Sequence, residues 1–262
     1  MSEKQFHQRW KRRYQATRND VQTVLAECRR TGEADAVHRL RVALRRVRLL
    51  ALIGKPVLGR AVALHLRQWA FKLTNALSRV RDYDVALEWL SRHERDSKIT
   101  KPLAASRLRL WRVARPHLRT LPQSAWDDIT GTKAGAAKQK ALRKKYVKEL
   151  NKAWRAFEKD SPRFHKLDLD DLHEFRRNIR RWRYMIELAR RRREQKHDAE
   201  LKKLIVLQEA LGEMQNGFLV RTFLQSHARS SSFLKLGELV KTQEARWRRL
   251  AKRHLAAVSV PS

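Results

Sequence analysis

Residues 37–52 read VHRLRVALRRVRLLAL and residues 172–188 read LHEFRRNIRRWRYMIEL. His38, Arg41, Arg45, Arg46 and Arg48 match His173, Arg176, Arg180, Arg181 and Arg183, all at an offset of 135 residues in a chain of 262. An α-helix turns ~100° per residue, so His38, Arg41, Arg45 and Arg48 fall within an arc of roughly 80°. Leu40, Ala43, Leu44 and Val47 fall on the opposite side. In the second copy His173, Arg176, Arg180 and Arg183 form the basic face, and Phe175, Ile179, Trp182 and Ile186 the apolar one. Each segment is therefore expected to be a helix that buries one side and presents a cationic stripe on the other. The first stripe has no carboxylate within it, and a bound anion would relieve its self-repulsion. The alternative for any single copy is a solvated charged face. Two matching copies favour a site.

Weaker matches keep the same order. Leu77-Ser78-Arg79-Val80-Arg81-Asp82 parallels Leu211-Gly212-Glu213-Met214-Gln215-Asn216 at an offset of 134, and Arg12-Arg13-Tyr14 parallels Lys144-Lys145-Tyr146 at 132. Glycine and proline are scarce, at 8 and 6, and strand-like alternation is nearly absent. The expected fold is all-α, with two pseudo-two-fold-related bundles of about four helices each, over residues 1–130 and 131–262.

Local signals set expected boundaries. The first helix covers about 6–30 and ends near Gly32. The second has Asp35 as N-cap and stops near Gly54-Lys55-Pro56. Arg81-Asp82-Tyr83-Asp84 reads as a break, with Asp82 capping a helix or orienting Arg81. Pro102 reads as a first-turn proline. Residues 121–135 read as the connection between halves. After the long helix of about 136–159, Asp168 to Asp171 should cap the His173 helix. Separate helices are expected over about 197–211, 217–229 and 233–256.

The chain carries 61 Lys+Arg against 27 Asp+Glu, a formal charge of +34. This excess points to a polyanionic partner. Yet 42% of residues are hydrophobic, including eight Trp and eight Phe, enough to bury a core. Cys28 is the single cysteine, which rules out an intrachain disulfide and fits a reducing compartment. The first residues lack an apolar signal region, and no 18-residue apolar window occurs. The expectation is a cytoplasmic protein without a membrane span. His38 and His173 lack zinc-like partners and have arginine neighbours that repel a cation, so no metal and no cofactor are expected. There is no Gly-rich phosphate loop, nucleophile elbow or zincin helix, so no catalytic residue and no enzyme activity are expected.

The pattern His-x-x-Arg-Val-x-x-Arg-Arg-x-Arg at 38–48, followed by Arg81-Asp82-Tyr83-Asp84-Val85, resembles the CHAD domain, the conserved histidine α-helical domain. The second half carries His-x-x-Arg-x-x-x-Arg-Arg-x-Arg-Tyr-x-x-Glu at 173–187, then Leu-Gln-x-x-Leu-Gly at 207–212. The resemblance implies two helical bundles around a basic cavity that binds inorganic polyphosphate without turning it over. Carried over by position, the binding residues are His38, Arg41, Arg45, Arg48, Arg81, His173, Arg176, Arg180, Arg183 and Tyr184. One departure stands out. Where the family has Asn-Asp after the second Leu-Gly, this chain has Gln215-Asn216, and no site role is assigned there. Some members of the family are joined to a triphosphatase domain built on Glu-x-Glu-x-Lys, a motif missing here, and some associate with polyhydroxyalkanoate granules, a further expected partner. The alternative reading is a nucleic-acid-binding basic helical protein. Its exposed aromatics would stack on bases, whereas core packing is the default expected for the tryptophans.

Overall fold

The computed structural model describes residues 1–93, 97–119, 126, 134–190, 198–227 and 231–258. Among them every regular element is helical and there is no strand. The helices are α1 (Glu3–Thr31), α2 (Ala34–Leu58), α3 (Arg60–Ala76), α4 (Ser78–His93), α5 (Ser97–Ala114), α6 (Ala136–Asp160), α7 (Leu169–Ala189), α8 (Ala199–His227) and α9 (Ser231–Ala257). Short 3-10 turns cover Arg115–Arg119 and Phe164–Lys166.

The chain divides into two units. One comprises Met1–Leu87 and Asp96–Glu149, the other Glu88–Arg95 and Leu150–Ser262. In the first, α2 packs against α1 and α3. Its core is aromatic-rich: Trp10 and Tyr14 ring centroids lie 5.3 Å apart, Phe6 meets Tyr146 at 4.6 Å, and Trp126 meets Tyr14 at 5.1 Å. In the second, α8 packs against α9 and α7. Its core joins Phe157, Phe175, Ile179, Trp182, Leu204 and Leu207, with Trp154 edge-on to Trp182 at 4.8 Å. Glu88–Arg95 belongs with the second unit because Trp89 Nε1 donates to Gln243 Oε1 of α9 at 2.9 Å, and the Gln243 amide nitrogen reaches His93 Nε2 at 3.1 Å.

Several helix ends differ from the sequence expectation. Glu33 is the N-cap of α2 and Asp35 lies in its first turn, paired with Arg39. The helix runs through Gly54 and Pro56 to Leu58 because Gly54 serves packing. A Cβ there would stand 2.2 Å from Trp10 Cζ2, and Trp10 Nε1 donates to the Leu50 carbonyl at 3.1 Å. No turn forms at Arg81–Asp84. The break falls four residues earlier, at Leu77, and α4 passes through Asp82, which therefore caps nothing. Pro102 lies five residues into α5, beyond its first turn. Residues 199–227 form one helix instead of two, and Gly217 is a contact glycine: its absent Cβ makes room for Glu244 Cγ of α9, 2.7 Å away. Asp168 does cap α7, accepting from the Asp171 amide at 2.8 Å. Most of the expected connection over 121–135 lies outside the described residues.

Candidate anion-binding stripes

On α2, the faces separate as the periodicity requires. Leu40, Ala43, Leu44 and Val47 are buried, His38 is exposed, and Arg41, Arg45 and Arg48 are half-buried. α4 brings Arg81 to the same place. The His38 ring is held below its ordinary pKa first by desolvation, then by Arg81 and Arg45 and more weakly by Arg41, with Asp35 opposing. Arg41 is itself depressed to about 10, first by burial and then by Arg45 and Arg81, with Asp82 and Asp84 opposing. Its Nη1 donates to the Thr74 carbonyl at 2.7 Å. That carbonyl belongs to the last turn of α3, where helical donors run out, so Arg41 also closes a helix end. Arg48, at the far end of the stripe, lies over Phe71, 5.1 Å from the ring centroid.

An acid accompanies this cluster. Asp82 neighbours Arg41, Arg79 and Arg81, yet burial outweighs all three and raises its pKa. Asp84 is buried and takes Arg107 Nε at 2.8 Å.

On α7, Phe175, Ile179, Trp182 and Ile186 are buried, His173 is exposed, and Arg176, Arg180 and Arg183 are half-buried. His173 is also held below its ordinary pKa, first by desolvation and then by Arg177, with the Gln215 hydrogen bond opposing and Arg176 and Arg180 adding to the effect. Gln215 of α8 joins this stripe. Its carbonyl oxygen accepts from Arg176 Nη1 at 2.6 Å, and its amide nitrogen stands 2.6 Å from His173 Nδ1. The three residues border a hollow of about 160 Å³ whose other wall includes Leu172, Leu211, Met214 and Phe218. Gly212 supports this arrangement, since a Cβ there would lie 3.3 Å from Arg176 Nη2. Further along, Arg183 faces Glu187 at 3.2 Å and lies over the buried Tyr184, 5.0 Å from its ring centroid.

The sequence-derived residues thus form two groups, one per unit. His38, Arg41, Arg45 and Arg81 assemble in the first, with Arg48 at the stripe's end. His173, Arg176 and Arg180 assemble in the second, with Arg183 and Tyr184 at the end. Gln215 was missed. The available signal was its match to Arg81 in the internal repeat. Among the described residues no group of three or more His, Cys, Asp or Glu side chains is placed to hold a metal ion, and no helix is long and apolar enough to cross a membrane.

An all-α chain with a repeated His/Arg stripe on its second and seventh helices is the class that this fold and site define. The family model for the CHAD domain matches residues 12–225, and the chain belongs to that family. No curated protein matches it. Among solved structures it is similar to the crystal structure of the CHAD domain from the plant Ricinus communis, at 17% identity and a TM-score of 0.67, over 97% of this chain and 93% of that one. At that identity the likeness speaks for the fold alone.

Proposed function

We propose that the protein binds inorganic polyphosphate on its two basic stripes and does not turn it over. The observation that carries this reading is the electrostatic state of the stripes. Burial and mutual repulsion depress both His38 and Arg41, so the charged forms are held at a cost in the unliganded protein. A bound polyanion reverses that cost by adding opposite charge to that of Asp82 and Asp84. Arginine suits the task because its planar fork gives bidentate, charge-assisted hydrogen bonds to phosphate oxygens and does not lose its proton near neutral pH.

Nucleic acid is the rival polyanion. Stacking on bases requires exposed rings; Trp10, Trp69, Trp89, Trp111, Trp126 and Trp182 are buried, Trp154 and Trp247 are partly buried, and Phe71 beside Arg48 is exposed. A backbone of phosphates without bases needs no such platform. The test is direct titration with long-chain sodium polyphosphate at several salt concentrations. Binding should weaken steadily as salt rises, because counterions compete at each contact. Phosphate release from polyphosphate in the presence of magnesium or manganese, abolished by Arg45→Ala, would overturn the non-catalytic reading.

A further inference from the structure

We propose that Gln215 is a positioning residue: its amide fixes His173 as the Nε2–H tautomer and ties it to Arg176, so that the second stripe presents an oriented imidazole N–H, held by an amide at the position where the first stripe has a cation, Arg81. This deepens the polyphosphate reading and rests on it only for the identity of the ligand that meets the donor.

The orientation follows from the donor inventory. The Arg176 guanidinium has donors only, so the Gln215 atom 2.6 Å from its Nη1 is the carbonyl oxygen. The amide nitrogen is then the atom 2.6 Å from His173 Nδ1. A nitrogen that receives an N–H carries no proton of its own, and in the neutral ring the proton resides on Nε2. Protonating Nδ1 would set two donors against each other. Turning the amide would satisfy an imidazolium and hold the ring charged, but it would place the amide nitrogen against Arg176. The oxygen is already committed to Arg176, so the amide nitrogen selects the Nε2–H ring. Of the charged groups facing His173, Arg176, Arg177 and Arg180 project from its own helix and disfavour a charged ring, Asp170 borders the same hollow with the opposite charge, and α8 contributes the uncharged Gln215.

The first stripe has no equivalent. Offsets of 135 and 134 match His173 to His38 and Gln215 to Arg81, so a cation replaces the amide beside the histidine. The repeat thus sets an amide beside one histidine and a cation beside the other.

The experiment is imidazole nitrogen NMR on the full chain without ligand, with the His173 signal assigned by its loss in His173→Gln. In the wild type Nδ1 should be unprotonated and Nε2 protonated at pH 8. Gln215→Ala should give a tautomer mixture. Gln215→Glu, whose carboxylate accepts on both sides, should place a proton on Nδ1 and raise the His173 midpoint by about one pH unit, tenfold in the protonation equilibrium. An Nδ1–H ring in the wild type, or a tautomer unchanged in both variants, overturns the role of Gln215. A retained tautomer with no polyphosphate binding would instead defeat the functional reading and leave the positioning role standing.

Discussion

The two stripes share a spacing and differ in several of the partners attached to it. On α2, Arg41 reaches backbone, the Thr74 carbonyl of α3, and Arg81 crowds His38. On α7, the corresponding Arg176 reaches a side chain, Gln215 of α8, which also takes His173. At the far end Arg183 has Glu187 four residues on, whereas Arg48 has Leu52 there and an aromatic neighbour, Phe71. Duplication preserved the cations, and the two copies then satisfied them in different ways. A repeated motif therefore predicts which residues share a face better than it predicts what each of them touches.

The largest expected effect lies beneath the first stripe. Asp84 is buried and paired with Arg107, while the second copy has Phe218 at the position matching Asp84. Removing one partner of a buried pair leaves the other charge under-compensated, so Arg107→Ala should destabilise the first unit by about 3–5 kcal/mol. Chemical denaturation checks this. A loss below about 1 kcal/mol would mean that water reaches Asp84.

Next comes the packing of α2. Gly54 matches Ala189 in the repeat, yet a Cβ at 54 would collide with the buried Trp10. Gly54→Ala should destabilise by about 1–3 kcal/mol despite the better helix propensity of alanine. Ala189 is the last residue of α7, where glycine is tolerated, so Ala189→Gly should cost well under about 1 kcal/mol. Equal effects in thermal unfolding would erase this difference between the copies.

This position also shows how far the sequence could be read. The all-α fold, the faces of α2 and α7 and the pairing of the two His/Arg rows were legible, because a helical period records which side is buried. Gly54 and Pro56 looked like a stop, and residues 212–216 like a gap between two helices, because a glycine that punctuates and a glycine that admits a neighbour look alike until the neighbour is known. The cap reading of Asp82 failed and Gln215 was given no role for a related reason. Asp82 is coupled electrostatically to Arg41 of α2 as well as to Arg79 and Arg81, and Gln215 bonds to Arg176 and His173 of α7, and local spacing carries no record of partners on other helices.

The stripes themselves can be compared by binding. Arg45→Ala and Arg180→Ala should each weaken polyphosphate binding by about 1–3 kcal/mol, the range for a desolvated hydrogen bond to a charged group. Arg109→Ala removes the same charge from an exposed position of α5 and should matter far less. Gln215→Arg, which makes the second stripe resemble the first, should steepen the dependence of log affinity on log salt by about one.

The smallest expected effect is on pH dependence. His7, His38 and His173 all have folded pKa values below their ordinary 6.5: His7 by burial and then Lys11, the other two by desolvation and then neighbouring arginines. Below pH 6.5 the unfolded chain takes up protons that the folded state refuses, so stability should fall with pH until the lowered values are reached. Polyphosphate should offset the shares of His38 and His173 and leave that of His7, which lies off the stripes. Its binding should accordingly strengthen as pH falls through the same window. Thermal unfolding with and without polyphosphate between pH 7.5 and pH 5.5, about a unit either side of the free imidazole value, measures both.

The central claim is that the stripes form a site for a chain of phosphates and not merely a diffuse cationic surface. Competition at near-physiological salt tests it most directly, with labelled long-chain polyphosphate displaced by unlabelled polyphosphate, RNA or DNA at equal phosphate concentration. The predicted result is displacement by polyphosphate far below the concentrations of RNA or DNA that are needed, with the preference reduced in the Arg45→Ala, Arg180→Ala double variant. Equal displacement by all three, unchanged in that variant and matched by Arg109→Ala, would contradict the account.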